Sequence, residues 1–213
     1  MKIYKLKNLD KKAIKEIAQD LKSGKIAVFP TDTIYGIGTN AFCLASVKKI
    51  YKLKCRVDKK SLPVLVDDIS KIKKIVRKIP TGAEKLAKKF WPGALTLIFE
   101  TNELGTMLMG GRKNIAVRIP DNKILLSIIK EMDCPLVGTS ANISGKKNCQ
   151  CISDLDKKIL KDADIIIDGG LSRRVPHSGL GKPSTVLDVS KFPYIVIREG
   201  CISKKELEKF MKI

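Results

Sequence analysis

The sequence predicts an α/β fold carrying a mixed sheet, and three observations predict it. Short apolar strands alternate with segments of helical spacing along most of the chain, the pattern of strands joined by helices. Toward the end, strand-like runs follow one another closely, so antiparallel pairing joins the parallel kind. No Pro/Gly/Ser-rich linker and no detectable repeat divides the 213 residues, 44% of them apolar, so residues 1–213 are expected to form a single domain.

The elements follow in order. Residues 10–23 place Ile14, Ile17, Ala18 and Leu21 on one helical face, with Gly24 where a C-cap would sit. A strand over 25–29 runs into "PTDTIYGIG", read as a polar loop. Residues 45–54 regain helical spacing through Val47, Ile50, Tyr51 and Leu53, ending in "KLKCR". A short strand over 62–66 precedes helices over 69–78 and 83–90, where "WPG" stops the second. Strands are predicted over 94–100, 114–120, 135–142, 164–168, 184–189 and 194–200, and helices over 123–132, near 154–161, and over 204–212. The stretches 101–114 and 172–183 contain glycine and are read as the least structured segments, loops at the mouth of a site.

Forty-two Lys and Arg against 22 Asp and Glu leave a net charge of +20, which points to polyanions or phosphorylated ligands as partners. A lysine-rich surface also serves solubility and stability in heat, so charge alone leaves both readings open. With aromatic residues at 5%, a stacking platform for single strands is disfavoured, whereas contact with tRNA or double-stranded RNA is not. The six cysteines contain no Cys-x-x-Cys pair, and Cys149 and Cys151 have no second pair at zinc spacing. No metal site is therefore expected. Scattered thiols without a signal peptide point to a reducing, cytoplasmic location. No apolar run approaches the roughly 20 residues that cross a bilayer, so no membrane contact is expected.

Ligands of open α/β sheets bind beyond the carboxyl ends of strands, and five polar clusters lie at such places. They are "PTDTIYG", "KLKCR" on the following helix, "VRIP", "TSANISG", and "GLGKPSTV" with "IREG". Taken singly, each has a plainer reading: Thr31 and Asp32 cap a turn, and Ser140 and Asn142 cap the next helix. Five together point to a shared site. The only histidine, His177, lies in a Pro/Gly-rich loop with no nucleophile motif to serve, and neither a P-loop nor a G-x-G-x-x-G pattern occurs. What remains is a pocket of hydroxyls, amides and guanidinium groups, suited to orienting and stabilising anions.

In order along the chain, "FPTDTIYGIGTNAF", the Lys-x-Arg of "KLKCR", "FWPGALTLI", "VRIP", "TSANISG", "GKPSTV" and "IREG" resemble the YrdC-type domain of threonylcarbamoyl-AMP synthases, in its single-domain form. The resemblance implies a twisted open mixed sheet flanked by helices, with a deep basic groove. It implies a nucleotidyltransferase reaction in which L-threonine, bicarbonate and ATP give L-threonylcarbamoyl-AMP, pyrophosphate and water, with Mg2+ accompanying the nucleotide. A downstream threonylcarbamoyl transferase would then modify an adenosine of tRNA. By position in the motifs, Thr33, Arg118, Ser140 and Ser184 would hold threonine. Lys54, Arg56, Lys60, Asn114, Asn142 and Arg198 would face ATP, with Lys54 and Arg56 as the catalytic cations. The chain departs from the pattern at Val57, where proline often follows, at Ala94 of the "PGA" turn, and in "SLPVLV", which lacks a histidine some relatives carry. The alternative is a non-catalytic protein that binds structured RNA, and a weaker third reading is a regulatory factor that binds threonine or nucleotide without turnover.

Overall fold

The computed structural model describes residues 1–55, 61–171 and 181–211. Ten strands form one sheet: β1 (Lys2–Lys5), β2 (Ala27–Phe29), β3 (Gly36–Asn40), β4 (Val64–Leu65), β5 (Leu95–Glu100), β6 (Asn114–Arg118), β7 (Leu136–Ser140), β8 (Ile165–Asp168), β9 (Thr185–Asp188) and β10 (Ile195–Arg198). Their order is β1-β8-β2-β3-β7-β4-β6-β5-β9-β10. β1/β8, β2/β8, β4/β6 and β5/β9 pair in parallel, and the other neighbours run antiparallel, so the sheet is mixed as expected. The described helices are α1 (Lys11–Lys22), α2 (Leu44–Leu53), α3 (Ile69–Lys73), α4 (Thr81–Phe90), α5 (Glu103–Leu108), α6 (Lys123–Met132), α7 (Lys157–Asp162) and α8 (Lys204–Met211).

The two-residue period of the strands divides the core. Ala27, Phe29, Leu65, Leu136, Ile165 and Ile167 pack with Ile17 and Leu21 of α1 and with Leu125, Ile128, Ile129 and Met132 of α6. Their alternates Val28, Val64, Val137 and Ile166 join a larger cluster that includes Ile50 of α2, Leu86 of α4, Ile159 of α7 and Leu207 of α8. The apolar spacing that marked these helices in the sequence is the spacing of these buried faces. Asp10, Asn122 and Asp156 accept from backbone N–H groups in the first turns of α1, α6 and α7, which fixes where those helices begin.

Four expectations are corrected. The loop after β2 is short, because residues 36–40 form β3, paired with β2 on one side and β7 on the other. Its glycines hid it. Residues 101–114 are not all loop, since Asn102 accepts from Gly105 N at 2.9 Å and starts α5. The helix expected over 69–78 stops at Lys73, because Val76 bridges Thr101 and Arg77 N donates to Glu100 O at 2.9 Å, which holds the segment against the end of β5. At the amino terminus the lysine-flanked residues 2–5, outside every predicted element, form edge strand β1.

Glycine in β3 is a packing requirement. A Cβ on Gly38 would lie 2.1 Å from Val137 O of the neighbouring backbone and 3.0 Å from the Phe29 ring. Backbone cannot swing aside as a side chain can. Gly38→Ala is therefore expected to lower stability by about 1–3 kcal/mol, measured as a shift in the urea midpoint without a change in slope.

Candidate functional site

On the face that α1 and α6 cover at one end of the sheet, the strands further along carry polar and small residues. Paired positions bring Arg118 of β6 beside Leu65 of β4, Ala116 beside Ile98 of β5, and Ile98 beside Asp188 of β9. Together with the loop 30–35, Ser140 of β7 and Arg198 of β10, these residues line a cleft of about 600 Å³. That volume suits a ligand of nucleotide or drug size, for which pockets run roughly 300–1,000 Å³. Thr33, Asn114, Arg118, Ser140, Ser184 and Arg198, singled out from sequence, all line it.

The loop 30–35 answers for its own hydroxyls. Thr31 Oγ1 accepts from Thr33 N (3.1 Å) and Ile34 N (3.2 Å) and donates to Ile34 O (2.6 Å), so it locks the turn. Thr33 Oγ1 lies 3.0 Å from it and faces the cleft. Tyr35 is fully buried, and its hydroxyl donates to Gly170 O (2.8 Å) while accepting from Gly169 N (2.9 Å), which ties the loop to the chain after β8. Burial pushes the Tyr35 phenol up to about 12. Tyr35→Phe strands both backbone groups and is expected to lower stability by about 1–3 kcal/mol, read from the thermal midpoint, with unfolding still a single transition.

Arg118 is held from three directions. Nε donates to Gly93 O (2.9 Å), Nη1 to Thr33 Oγ1 (3.2 Å) and Nη2 to Asp32 Oδ1 (2.6 Å). The "WPG" turn is thereby explained, since Gly93 N in turn donates to Ile119 O at 2.9 Å and pins the turn to the end of β6. A guanidinium carries five N–H donors, so among the described residues two remain for a ligand. The Arg118 and Asp32 side chains are only 8% and 4% exposed.

At the opposite wall, Ser184 Oγ lies 2.9 Å from Thr96 Oγ1 and accepts from Arg198 Nη2 at 3.3 Å. Arg198 also donates to Ser184 O through Nη2 (2.7 Å) and Nε (3.2 Å). Thr185, on the buried side, fastens "REG" by accepting from Gly200 N and Ile202 N, both at 3.0 Å. Conformation therefore couples β9 to the end of β10.

Lys54 and Asn142 lie behind the wall and do not line the cleft. Lys54 is 1% exposed, and its Nζ donates to Ser140 O, to Asn142 O (2.6 Å) and to Asn142 Oδ1 (3.2 Å). Asn142 Nδ2 donates to Lys146 O at 2.5 Å. Arg56, Lys60 and His177 lie outside the described residues. Asp32, Thr96 and Asp188 were not singled out as site residues in the sequence; Asp32 looked like a turn cap, and Thr96 and Asp188 sit within apolar strands. The charged side chains lining the cleft among the described residues are Arg118, Arg198 and Asp188. Among those residues, no group of three or more His, Cys, Asp or Glu is placed to hold a metal ion, and no helix is long and apolar enough to cross a membrane. Among the described residues, none of the six cysteines is in a disulfide.

A mixed open sheet whose strand ends converge on hydroxyls and two arginines defines an α/β protein with a polar cleft of the kind that orients charged small molecules. The model of the Sua5/YciO/YrdC family, described as telomere recombination, matches residues 19–200, and the chain belongs to that family. The threonylcarbamoyl-AMP synthase of Pyrococcus abyssi is 35% identical over 190 residues, covering 89% of this chain and 54% of the relative. The chain thus spans about half the length of that protein. A relative from Methanocaldococcus jannaschii is 36% identical over 212 residues, covering 98% of this chain and 96% of its own. The crystal structure of P. abyssi Sua5 complexed with L-threonine superposes with a TM-score of 0.88 at 32% identity, covering 100% of this chain and 61% of that one.

Proposed function

We propose that this protein is a threonylcarbamoyl-AMP synthase, acting as one unit over residues 1–213. The observation that carries this reading is the single cleft lined by Thr33, Arg118, Ser140 and Ser184 from separate parts of the chain. The name of the Pyrococcus relative and the threonine in the Sua5 crystal support it. Nothing in the cleft favours the alternative of a non-catalytic RNA-binding module.

Threonine's amine takes up the carbon of bicarbonate, releasing water and forming a carbamate. A carbamate oxygen then attacks the α-phosphorus of ATP, which enters with Mg2+ as its substrate complex, and pyrophosphate leaves. The two uncommitted N–H groups of Arg118 take the threonine carboxylate, a match of planar fork to planar anion. Hydroxyls of Thr33, Ser140 and Ser184 orient the rest of the amino acid. Asn114 and Arg198 serve the nucleotide, as do Arg56 and Lys60 by their place in the motif. Lys54 acts from behind, holding Ser140 and Asn142 in register. Catalysis then rests on alignment and charge stabilisation, no histidine being among the described residues that line the cleft. The product passes to a threonylcarbamoyl transferase that modifies tRNA, in the cytoplasm.

The test mixes the protein with labelled threonine, bicarbonate and MgATP and looks for the adenylate by mass spectrometry, omitting each reactant in turn. Product is expected only when all three are present. ATP consumption indifferent to threonine and bicarbonate would refute the reading. Serine should be used less well than threonine by about 10- to 200-fold in kcat/KM, the worth of one carbon in an apolar contact.

A further inference from the structure

We propose that Asp32 makes the amino-acid seat selective for zwitterions, by balancing the charge of Arg118 and supplying the negative group that a ligand's ammonium faces. The inference rests on the reading that this cleft takes an α-amino acid.

Two observations carry it. The first is charge balance. Arg118 and Asp32 form a pair more than nine-tenths buried, with Nη2 and Oδ1 2.6 Å apart, so the seat around Arg118 is neutral. A bare carboxylate bound to Arg118 would leave a net negative charge in a poorly solvated place, whereas an amino acid brings one charge of each sign and keeps the balance. Carboxylate on guanidinium and ammonium toward aspartate then make two crossed pairs.

The second is an orphaned atom. Asp32 Oδ2 is buried and has no hydrogen-bond partner among the described residues. Buried carboxylate oxygens normally accept at least one bond, and an exception calls for a donor from elsewhere. Oδ2 lies one carboxylate width from the oxygen that holds Arg118, and although Asp32 does not itself line the cleft, it sits between Thr31 and Thr33, which do. In an α-amino acid the nitrogen sits one carbon away from the carboxylate. An amino acid seated on Arg118 with its nitrogen turned to the Asp32 side would bring the donor that Oδ2 lacks. After carbamate formation the nitrogen keeps one N–H, so the contact survives the first step.

A purely structural Asp32, present only to hold Arg118, predicts something different. Titration calorimetry on the full chain separates the two, with L-threonine and 2,3-dihydroxybutanoate, in which a hydroxyl replaces the amine, as the ligands. The wild-type protein should bind threonine at least about tenfold more tightly than the hydroxy acid, a difference of about 1.4 kcal/mol. Asp32→Asn keeps an oxygen for Arg118 but removes the charge, and should cut that preference by about tenfold, threonine weakening while the hydroxy acid holds or gains. If both ligands weaken equally in the variant, Asp32 only positions Arg118 and the proposal fails. Equal affinities in the wild-type protein also sink it, and this arm stands even where Asp32→Asn does not fold. A wild-type protein that makes the adenylate yet shows either of these results loses only this inference. One that binds no threonine at all loses the reading on which it rests.

Discussion

Arg118→Ala should weaken threonine binding by about 100-fold or more while weakening ATP binding less, because the lost contact is a bidentate, charge-assisted one to a carboxylate. The same substitution should unsettle the fold. Asp32 would remain as a buried carboxylate without its cation, and breaking such a pair from one side costs about 3–5 kcal/mol. Gly93 O and Thr33 Oγ1 would lose a donor as well. Removing both members of the pair, as in Asp32→Ala with Arg118→Ala, should return much of the stability and none of the binding. Calorimetry and urea denaturation on the three variants check this. A larger loss for ATP than for threonine would move Arg118 to the nucleotide side of the cleft.

Lys54→Met is expected to lower pyrophosphate release by about 100-fold or more, although the ammonium does not line the cleft. Lys54 Nζ bonds the carbonyls of Ser140 and Asn142, and Ser140 is on the wall. A neutral side chain of similar length would leave those buried acceptors short of a donor, at about 1–3 kcal/mol for each, and the segment would shift to recover them. Misplacement on the scale of 1 Å is enough for a rate loss of that size. Since one lysine fixes both Ser140 on the wall and the Asn142 segment behind it, the affinities for threonine and for ATP should both fall. Loss of ATP affinity alone would mark Lys54 as a phosphate ligand instead. Lys54→Arg should not restore the rate, because a planar fork cannot occupy the place of a compact point donor.

The helices were the most legible part of the fold. α6 spans residues 123–132, as its apolar spacing predicts, and α1 starts where Asp10 could cap it. These signals are local, and local signals survive in a bare sequence. β3 was not legible because Gly36 and Gly38 carry no apolar pattern; their reason for being there, the Phe29 ring and the Val137 carbonyl, lies elsewhere in the chain. α5 was overlooked although Asn102 can cap it and Leu104, Met107 and Leu108 stand at helical spacing, because Gly105, Gly110 and Gly111 made the stretch read as loop. At the site, hydroxyls and arginines after strands were visible as clusters, the family resemblance supplied ten residues to name, and six of those ten line one cleft. The pairing of Asp32 with Arg118, 86 positions apart, was not visible, since Asp32 could equally cap its own turn. Nor was the burial of Lys54, because lysine is so rarely enclosed that the plain expectation is a cation facing solvent or phosphate.

The strand order has a bearing on when the cleft can exist during synthesis. β9 and β10, which carry or adjoin Ser184 and Arg198, are made well after β5, yet β9 docks directly beside that strand, made some ninety residues earlier, and β10 docks on β9. A nascent chain that has already folded its first strands therefore exposes the flank of β5 and lacks one wall of the cleft. Ligand cannot be gripped between both walls until residue 198 has been made, long after the segments that carry Thr33 and Arg118.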